Sequence, residues 1–394
     1  MFYKREILPV LMEELNKQEI VVITGMRQVG KTTILKYIYD NVASNNKAIL
    51  DAGNPIHRKI FDEINYDNII HNLKSYGIVS NKNAFVFIDE IQNMPELSKS
   101  IKYLYDHYQV KFFVTGSSSY YLKNLFPESL AGRKYVYELF PLSFNEFLGF
   151  KGITRESKPT LPEKEQQRNK LTPDLYNVYL EEYLKFGGFP GVVNEENNAR
   201  KEGLLENLFK SYFEIDVKEL ADFKNLSNLR DLILLLIPRI GSKLDISKLS
   251  SEIGISRETI YSYLSFLEQT YFISMIPKYS SSLDRKSAGS KKLYFCDCGL
   301  ANYLGKLSDG QLLENAVYQN LKPHYKNICY YSKKSGAELD FILDGIFSLE
   351  VKQSADRKHI INSQKFSRDL GLQGGFVTSK NYLDEQGVIM VHDL

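Results

Sequence analysis

Short apolar runs alternate with helical segments over the first 150 residues. Continuous apolar runs indicate strands buried on both faces, and the helical segments between them indicate that these strands are parallel. We therefore expect an α/β fold with helices on both faces of the sheet and a ligand site at the carboxyl ends of the strands. The predicted strands are residues 20–23, 47–51, 84–90, 110–115 and 135–140.

Helical spacing and changes of composition divide the chain into parts. Residues 3–18 and 56–77 are predicted helices, and Ile64 is among the expected core residues of the second. Residues 151–172 are polar and contain two prolines, which predicts an exposed linker or mobile loop. The predicted parts are a domain over 1–150, the linker over 151–172, a helical region over 173–292 and a C-terminal domain over 293–394.

Residues 242–279 have the pattern of a winged helix-turn-helix, with Ser256 as the N-cap of its second helix. The loop over 278–292 is basic and contains one acidic residue, Asp284. Such a loop suits contact with the phosphate backbone of DNA, whereas the alternative is a packing domain with a solvated loop. The cationic residues are Lys278, Arg285, Lys286, Lys291 and Lys292.

The segment Gly-Met-Arg-Gln-Val-Gly-Lys-Thr at 25–32 fits the phosphate-binding pattern G-x-x-x-x-G-K-[ST]. Its glycines let backbone N–H groups face a phosphate, and the following helix adds positive charge at its N-terminus. Lys31 can reach terminal phosphates, and the Thr32 hydroxyl can bind Mg²⁺. The alternative is an accidental match at a turn. The predicted nucleotide-binding residues are Gly25, Arg27, Gln28, Val29, Gly30, Lys31, Thr32 and Thr33.

The strand at 84–90 ends in Asp89 and Glu90. Asp89 is expected to hold Mg²⁺, and Glu90 to orient and deprotonate an attacking water. The alternative is a strand that merely ends in acidic residues. A glutamate beside the metal-binding aspartate, with a further strand between the two motifs, favours ATPases over GTPase-like relatives. The predicted ligands are thus ATP and Mg²⁺.

Three more residues complete the predicted catalytic set. Thr115 or Ser117 can contact the water or the terminal phosphate as a sensor, although glycine and serine at 116–119 also suit an ordinary turn. Arg133 can act as an arginine finger on the ATP of a neighbouring subunit, which would require a homo-oligomer. The alternative for Arg133 is a solvated or salt-bridged side chain.

A second constellation lies near the C-terminus. Glu350 and Lys352 occupy alternate positions of one predicted strand, so their side chains share a face. A neighbouring strand can place Asp340 beside them, and Glu314 can add a ligand from a helix. Two carboxylates and a lysine in this order are the arrangement of metal-dependent nucleases. The alternative is a pair of strands with a solvated face of alternating charge.

Composition and charge limit the partners and the cellular location that we expect for this chain. The chain is 43% hydrophobic and 25% charged with a net charge of +2, so contact with nucleic acid would need a local patch. Its three cysteines do not make a disulfide framework, no signal-peptide core follows the first residues, and no apolar run approaches a membrane span. We expect a soluble cytoplasmic protein with no membrane contact.

Several motifs together resemble a large prokaryotic family of AAA-type ATPases whose C-terminal half is a domain of unknown function. They are the phosphate loop, Phe-Val-Phe-Ile-Asp-Glu-Ile-Gln, Thr-Gly-Ser-Ser-Ser, Leu-Ala-Gly-Arg, Phe-Gly-Gly-Phe-Pro, Leu-Tyr-Phe-Cys-Asp-Cys-Gly-Leu and Gly-Ala-Glu-Leu-Asp-Phe with Leu-Glu-Val-Lys. The resemblance covers nearly the whole chain. It implies an AAA-type ATPase domain, a winged helix and a restriction-endonuclease-like C-terminal domain.

Three hypotheses follow. The first is a Mg²⁺-dependent ATPase that acts on or at DNA, with or without nuclease activity. The second is an ATP-controlled switch whose C-terminal domain is an inert interaction module. The third is DNA binding without cleavage.

Overall fold

The fold is described from a computed structural model of the 394-residue chain. The residues it describes are 3–80, 83–94, 96–117, 132–218, 223, 225–280, 289–333 and 336–394.

The first sheet has five strands, and every pairing in it is parallel. The strands are β1 (Ile20–Thr24), β2 (Lys47–Asp51), β3 (Phe85–Asp89), β4 (Lys111–Gly116) and β5 (Lys134–Glu138). Their order is β2-β3-β4-β1-β5. The carboxyl ends of the neighbouring strands β3, β4 and β1 therefore lie at one edge of the sheet. The predicted parallel α/β fold is confirmed.

Helices cover both faces of this sheet, because alternate residues of each strand point to opposite sides. Ile23 of β1 packs on the side of Ile34, whereas Val22 packs on the side of Leu104. The helices of this part are α1 (Leu8–Glu13), α2 (Lys31–Asn41), α3 (Pro55–Lys59), α4 (Asp67–Leu73), α5 (Leu97–Tyr108) and α6 (Phe144–Phe150). A 3₁₀ turn, Ile91–Asn93, follows β3.

The single helix predicted over 56–77 is wrong. α3 and α4 are separate, and Ile64 between them is fully exposed instead of lying in the core. The side chain of Asn65 accepts a hydrogen bond from the Asp67 N–H at 3.0 Å. This local bond satisfies a backbone donor at the start of α4 and competes with a continuous helix.

The polar segment 151–172 contains a packed helix, α7 (Leu161–Gln166), where we expected an exposed linker. Thr160 and Glu163 form a capping box at its start. Leu161 is fully buried, and the Lys164 ammonium donates to the backbone oxygen of Asp393 at 2.6 Å. The motif Thr-x-x-Glu was the available sequence signal for this helix.

The middle of the chain is helical and ends in a two-stranded antiparallel sheet, β6 (Ile273–Ile276) and β7 (Lys292–Phe295). The predicted domain boundary at 292/293 falls inside β7. Among the described residues, no helix has the length and apolarity to cross a bilayer. The helices are α8 (Thr172–Phe186), α9 (Pro190–Val193), α10 (Asn198–Ser211), a π-helix (Tyr212–Val217), α11 (Leu226–Leu236), α12 (Ile246–Ile253) and α13 (Arg257–Gln269).

The C-terminal part forms a separate mixed sheet. Its strands are β8 (Ile328–Ser332), β9 (Glu338–Leu343), β10 (Phe347–Lys352), β11 (Gly374–Ser379) and β12 (Val388–Met390), in the order β12-β11-β10-β9-β8. β8, β9 and β10 pair antiparallel, and β10, β11 and β12 pair parallel. The accompanying helices are α14 (Cys298–Leu304), α15 (Asp309–Leu321) and α16 (Arg357–Asp369).

A close backbone contact joins α14 to the end of α8. A Cβ atom on Gly299 would lie 2.0 Å from the carbonyl carbon of Phe186, closer than real contacts allow. Beside it, the Asp297 carboxylate accepts hydrogen bonds from the Gly188 N–H at 2.7 Å and the Leu300 N–H at 2.8 Å. The motifs Phe-Gly-Gly-Phe-Pro and Cys-Asp-Cys-Gly thus meet at one contact.

Substituting Gly299→Ala should lower the free energy of unfolding by about 1–3 kcal/mol or more, because the added methyl group must push two backbones apart. Gly203→Ala is the matched control, since Gly203 lies inside α10 with no heavy atom near an added Cβ. The control should be neutral or stabilise by up to about 1 kcal/mol. Thermal melting of both variants measures this, and equal melting temperatures would contradict the close contact.

Candidate nucleotide site

The phosphate loop connects the carboxyl end of β1 to the start of α2. Gly25 has a φ of 151°, and a Cβ atom on it would lie 2.1 Å from the carbonyl oxygen of Leu139. Gln28 and Gly30 also have positive φ, 64° and 102°. The first turn of α2 leaves backbone N–H groups without intrahelical acceptors, which suits an anion.

Lys31 lies inside the loop and is only 4% exposed. Its ammonium donates to the carbonyl oxygens of Gly25 at 2.9 Å and Met26 at 3.0 Å. Burial lowers the pKa of Lys31, and the carboxylates of Glu90 and Asp216 oppose that shift. The cation is thus held by neutral oxygens, which the oxygens of a bound phosphate can replace.

Asp89, Glu90 and Thr115 come together at the ends of β3 and β4. The Thr115 hydroxyl donates to the Asp89 carboxylate and accepts a hydrogen bond from the Glu90 N–H at 3.0 Å. Glu90 has a φ of 54°, a left-handed conformation that is uncommon for a residue other than glycine. Strain of this kind is concentrated at functional sites.

Gln92 and Ser117 extend this cluster. The Gln92 amide donates to the Glu90 carboxylate, and the Ser117 N–H donates to Gln92 at 3.4 Å. The Ser117 hydroxyl is buried without a hydrogen-bond partner within the described part of the chain, as is the Thr24 hydroxyl at the end of β1. Buried hydroxyls at the mouth of a phosphate loop fit a site that takes further polar groups.

Arg5 is a residue of this region that the sequence did not reveal. Its buried guanidinium donates to the Val29 carbonyl oxygen at 2.7 Å, the Phe140 carbonyl oxygen at 2.7 Å and the Glu146 carboxylate at 2.8 Å. It therefore ties the phosphate loop to the chain after β5 and to α6. Arg5 lies within a predicted helix, where nothing distinguishes it from a solvated arginine.

Asp216 is a second residue that sequence reasoning missed. Arg27 of the loop donates from Nε to both Asp216 carboxylate oxygens at 3.0 Å. Asp216 is 4% exposed and lies in the π-helix Tyr212–Val217, and such helices are frequent at functional sites. Burial raises the pKa of the Asp216 carboxyl to about 6, and Arg27 opposes the shift. The helical region thereby contacts the nucleotide site.

Arg133 does not lie with the other predicted catalytic residues. It directly precedes β5, at the end of the parallel sheet opposite the phosphate loop, and its Nε is 2.9 Å from the Asp106 carboxylate. This geometry corresponds to the salt-bridged alternative.

The C-terminal candidates Glu314, Asp340, Glu350 and Lys352 lie near one another. The Asp340 carboxylate on β9 accepts a hydrogen bond from the Val351 N–H of β10 at 2.9 Å, and Lys352 is 2.8 Å from Glu350. Glu314 on α15 accepts a hydrogen bond from the Tyr294 hydroxyl at 2.7 Å. Glu350 and Lys352 lie on the same face of β10, as the alternation of side chains along a strand predicts.

Lys292 lies on β7 and belongs to this cluster. The prediction that it is part of a DNA-binding loop is therefore wrong. The Lys292 ammonium is 2.6 Å from Glu338, 3.3 Å from Glu314 and 3.4 Å from Asp340, and its side chain is 2% exposed. It is therefore unavailable to DNA, because it faces inward from β7. Residues Arg285 and Lys286 of the same predicted loop, and the segment 118–131, lie outside the described residues.

Comparison with known proteins places this geometry in a class. Residues 17–148 match the AAA domain family, residues 177–311 a domain of unknown function (DUF8612) and residues 309–390 another domain of unknown function (DUF4143). The parallel sheet and its loop therefore define an AAA-type P-loop ATPase domain, as the sequence motifs predicted.

Two relatives extend the similarity over most of the chain. An uncharacterized protein of Methanocaldococcus jannaschii is 30% identical over 93% of this chain and 83% of its own length. An uncharacterized protein of Haemophilus influenzae is 27% identical over 82% of this chain and 79% of its own.

A comparison with solved structures finds similarity to AMPPCP-bound DnaA from Aquifex aeolicus. The two chains are 15% identical, the match covers 68% of this chain and 89% of that one, and the TM-score is 0.32.

This chain belongs to the family of prokaryotic AAA-type ATPases with C-terminal domains of unknown function that includes the protein of M. jannaschii.

The Asp216 carboxyl should make stability depend on pH. Because burial raises its pKa from the usual 3.8 to about 6, the folded chain binds more protons than the unfolded chain between about pH 4 and pH 6. Wild type should therefore lose stability relative to Asp216→Asn as pH rises through about 6, by at most about 3 kcal/mol.

Melting temperatures of wild type and Asp216→Asn, measured at about pH 4 and again above about pH 6, test this shift. Asp231→Asn, at an exposed position of α11, is the matched control and should keep a constant difference from wild type. A wild type that gains stability relative to Asp216→Asn with rising pH would mean that the ion pair with Arg27 outweighs burial.

Proposed function

We propose that this chain binds Mg²⁺·ATP at the phosphate loop and hydrolyses it. Whether nucleotide is bound then changes the contacts of the loop with the helical and C-terminal parts. The observation that carries the proposal is the Asp89–Thr115–Glu90 cluster at the edge of the sheet where Lys31 lies in its loop. AAA family membership agrees with this assignment.

The loop is suited to hold the phosphates. Backbone N–H groups at the start of α2 and the Lys31 ammonium supply the positive charge. Lys31 would leave the carbonyl oxygens of Gly25 and Met26 and turn to phosphate oxygens. Thr32 and Asp89 would hold Mg²⁺, which neutralises charge on the phosphates.

Glu90 is the proposed general base. It accepts a proton from the attacking water as the new bond to the terminal phosphorus forms and the bond to the ADP oxygen breaks. Gln92 holds the Glu90 carboxylate by its amide, and Thr115 holds the backbone N–H of the same residue. Ser117, with its buried hydroxyl, is the proposed sensor of the terminal phosphate.

The Arg27–Asp216 ion pair is the proposed path from the loop to the rest of the chain. It joins a predicted nucleotide-binding residue to the π-helix after α10. Negative phosphates beside Arg27 would compete with Asp216 for its guanidinium, so that nucleotide binding loosens this contact. A competition of this kind would make the contact depend on bound nucleotide, which is what the hypothesis of an ATP-controlled switch requires.

Substituting Glu90→Gln should lower ATP turnover by about 10²–10⁴-fold while leaving ATP affinity unchanged, because the amide cannot accept the proton of the water. Phosphate release and equilibrium binding of labelled ATP measure the two quantities. Glu96→Gln is the matched control, since the Glu96 side chain is exposed and pairs with Lys99. Undiminished turnover in Glu90→Gln would exclude Glu90 as the base.

We also infer a second candidate activity, contact with duplex DNA through helices α12 and α13 and the β6–β7 hairpin. This order of elements is that of a winged helix-turn-helix. Ser256 caps α13, and Arg257 and Tyr261 on that helix are exposed. These residues support phosphate contact and stacking, respectively.

If this surface binds DNA, Arg257→Ala should weaken duplex binding and reduce the slope of log K against log salt by about one. Arg368→Ala, at an exposed position near the end of α16, is the control and should leave the slope unchanged. Mobility shifts over a salt series measure the slope. No shift at low salt with wild type would rule this surface out.

A further inference from the structure

The C-terminal cluster has the residue types of a metal-dependent nuclease, yet its centre holds a lysine. The Lys292 ammonium lies within 3.4 Å of one carboxylate oxygen on each of Glu314, Glu338 and Asp340. Within the described residues, no group of three or more acidic, histidine or cysteine side chains is arranged to hold a metal ion. The residues therefore do not fit a divalent cation in this arrangement.

A divalent ion bound by Glu314 and Asp340 would have to lie beside Lys292. Mg²⁺ binds carboxylate oxygens at about 2.0–2.1 Å and keeps an octahedral shell of oxygen ligands. The ammonium already lies against one oxygen of each carboxylate, and the second Asp340 oxygen accepts the Val351 N–H. A divalent ion and the Lys292 ammonium, bound to the same carboxylates in a buried site, would repel each other strongly.

Lys292 differs from a surface lysine, because its backbone lies in a paired strand and its side chain is buried. It lies on β7, which pairs with β6, so that Lys292 is in register with Ile276. On its other side the Leu293 N–H donates to the Ser242 carbonyl oxygen at 3.2 Å, and the Gly241 N–H donates to that of Leu293 at 2.9 Å. The backbone of Lys292 is therefore fixed on both sides, and its side chain is 2% exposed and enclosed by three carboxylates.

Neighbouring groups close the cluster further. Lys243 binds the second Glu338 oxygen at 2.7 Å, and Tyr294, two residues after Lys292 on the same face of β7, donates to Glu314. A Cβ atom on Gly241 would lie 2.9 Å from the Glu314 carboxylate, so the backbone there covers the acid. Each carboxylate around Lys292 therefore has a second partner from the protein.

We propose that the Lys292 ammonium is the resident cation of this cluster, so that the nuclease-like site takes no divalent metal and instead fixes the hairpin to the mixed sheet. The C-terminal domain is then an interaction module and not a metal-dependent nuclease. This inference does not depend on ATP hydrolysis at the phosphate loop, and the two can fail separately.

Mn²⁺ binding to the nucleotide-free full-length chain, followed by electron paramagnetic resonance, tests the proposal. Wild type and Asp340→Asn should bind the same amount of Mn²⁺, because the cluster around Lys292 binds none. This comparison needs no change at Lys292 and stands even if variants at that position do not fold. Bound Mn²⁺ in wild type that disappears in Asp340→Asn would overturn the proposal, as would plasmid cleavage with the same dependence.

The variant Lys292→Met gives the converse result. It leaves three carboxylates without their shared cation, so the melting temperature should fall, and Mn²⁺ should bind and raise it again by several degrees. Lys291→Met, at the exposed neighbouring position, is the matched control and should show neither effect. A folded Lys292→Met that takes up no Mn²⁺, or that loses nothing when Asp340→Asn is added, would contradict the proposal.

Discussion

The ammonium of Lys31 is the group on which the proposed nucleotide site depends. It is buried within a loop whose backbone is bent at Gly25, and it is held there by two carbonyl oxygens. A lysine in this position is costly to bury, and neutral oxygens compensate for only part of that cost. Phosphate oxygens offer a better partner. In the proposed function, the phosphate oxygens of a nucleotide would replace these carbonyl oxygens as partners of the ammonium.

The second buried lysine shows the opposite arrangement. Lys292 is surrounded by carboxylates, which compensate its charge, so that a further anionic partner would add little. Both lysines are almost fully buried, but one is bound by carbonyl groups and the other by acids. The same side chain thus suits an open ligand site in the first half of the chain and a closed structural contact in the second.

Local motifs predicted the parts of this molecule that local chemistry determines. The strands, the loop at 25–32 and the Asp89–Glu90 pair follow from short patterns, and the structure has them where they were expected. Arg5–Glu146 and Arg27–Asp216 join residues 141 and 189 positions apart, and no spacing rule reveals such partners. Lys292 is adjacent to an exposed lysine in a basic segment, so only its place on β7 separates its role from that of its neighbour.

A structure of the full chain with a non-hydrolysable ATP analogue and Mn²⁺ tests the account most directly, because anomalous scattering locates every bound metal ion. The account predicts a Mn²⁺ ion at Thr32 and Asp89, with the Lys31 ammonium on the phosphates and away from Gly25 and Met26. It also predicts no anomalous peak among Glu314, Glu338 and Asp340. Phosphates bound outside the loop, or Lys31 still on its carbonyl oxygens with the analogue present, would contradict the central claim that this loop is the site of ATP hydrolysis.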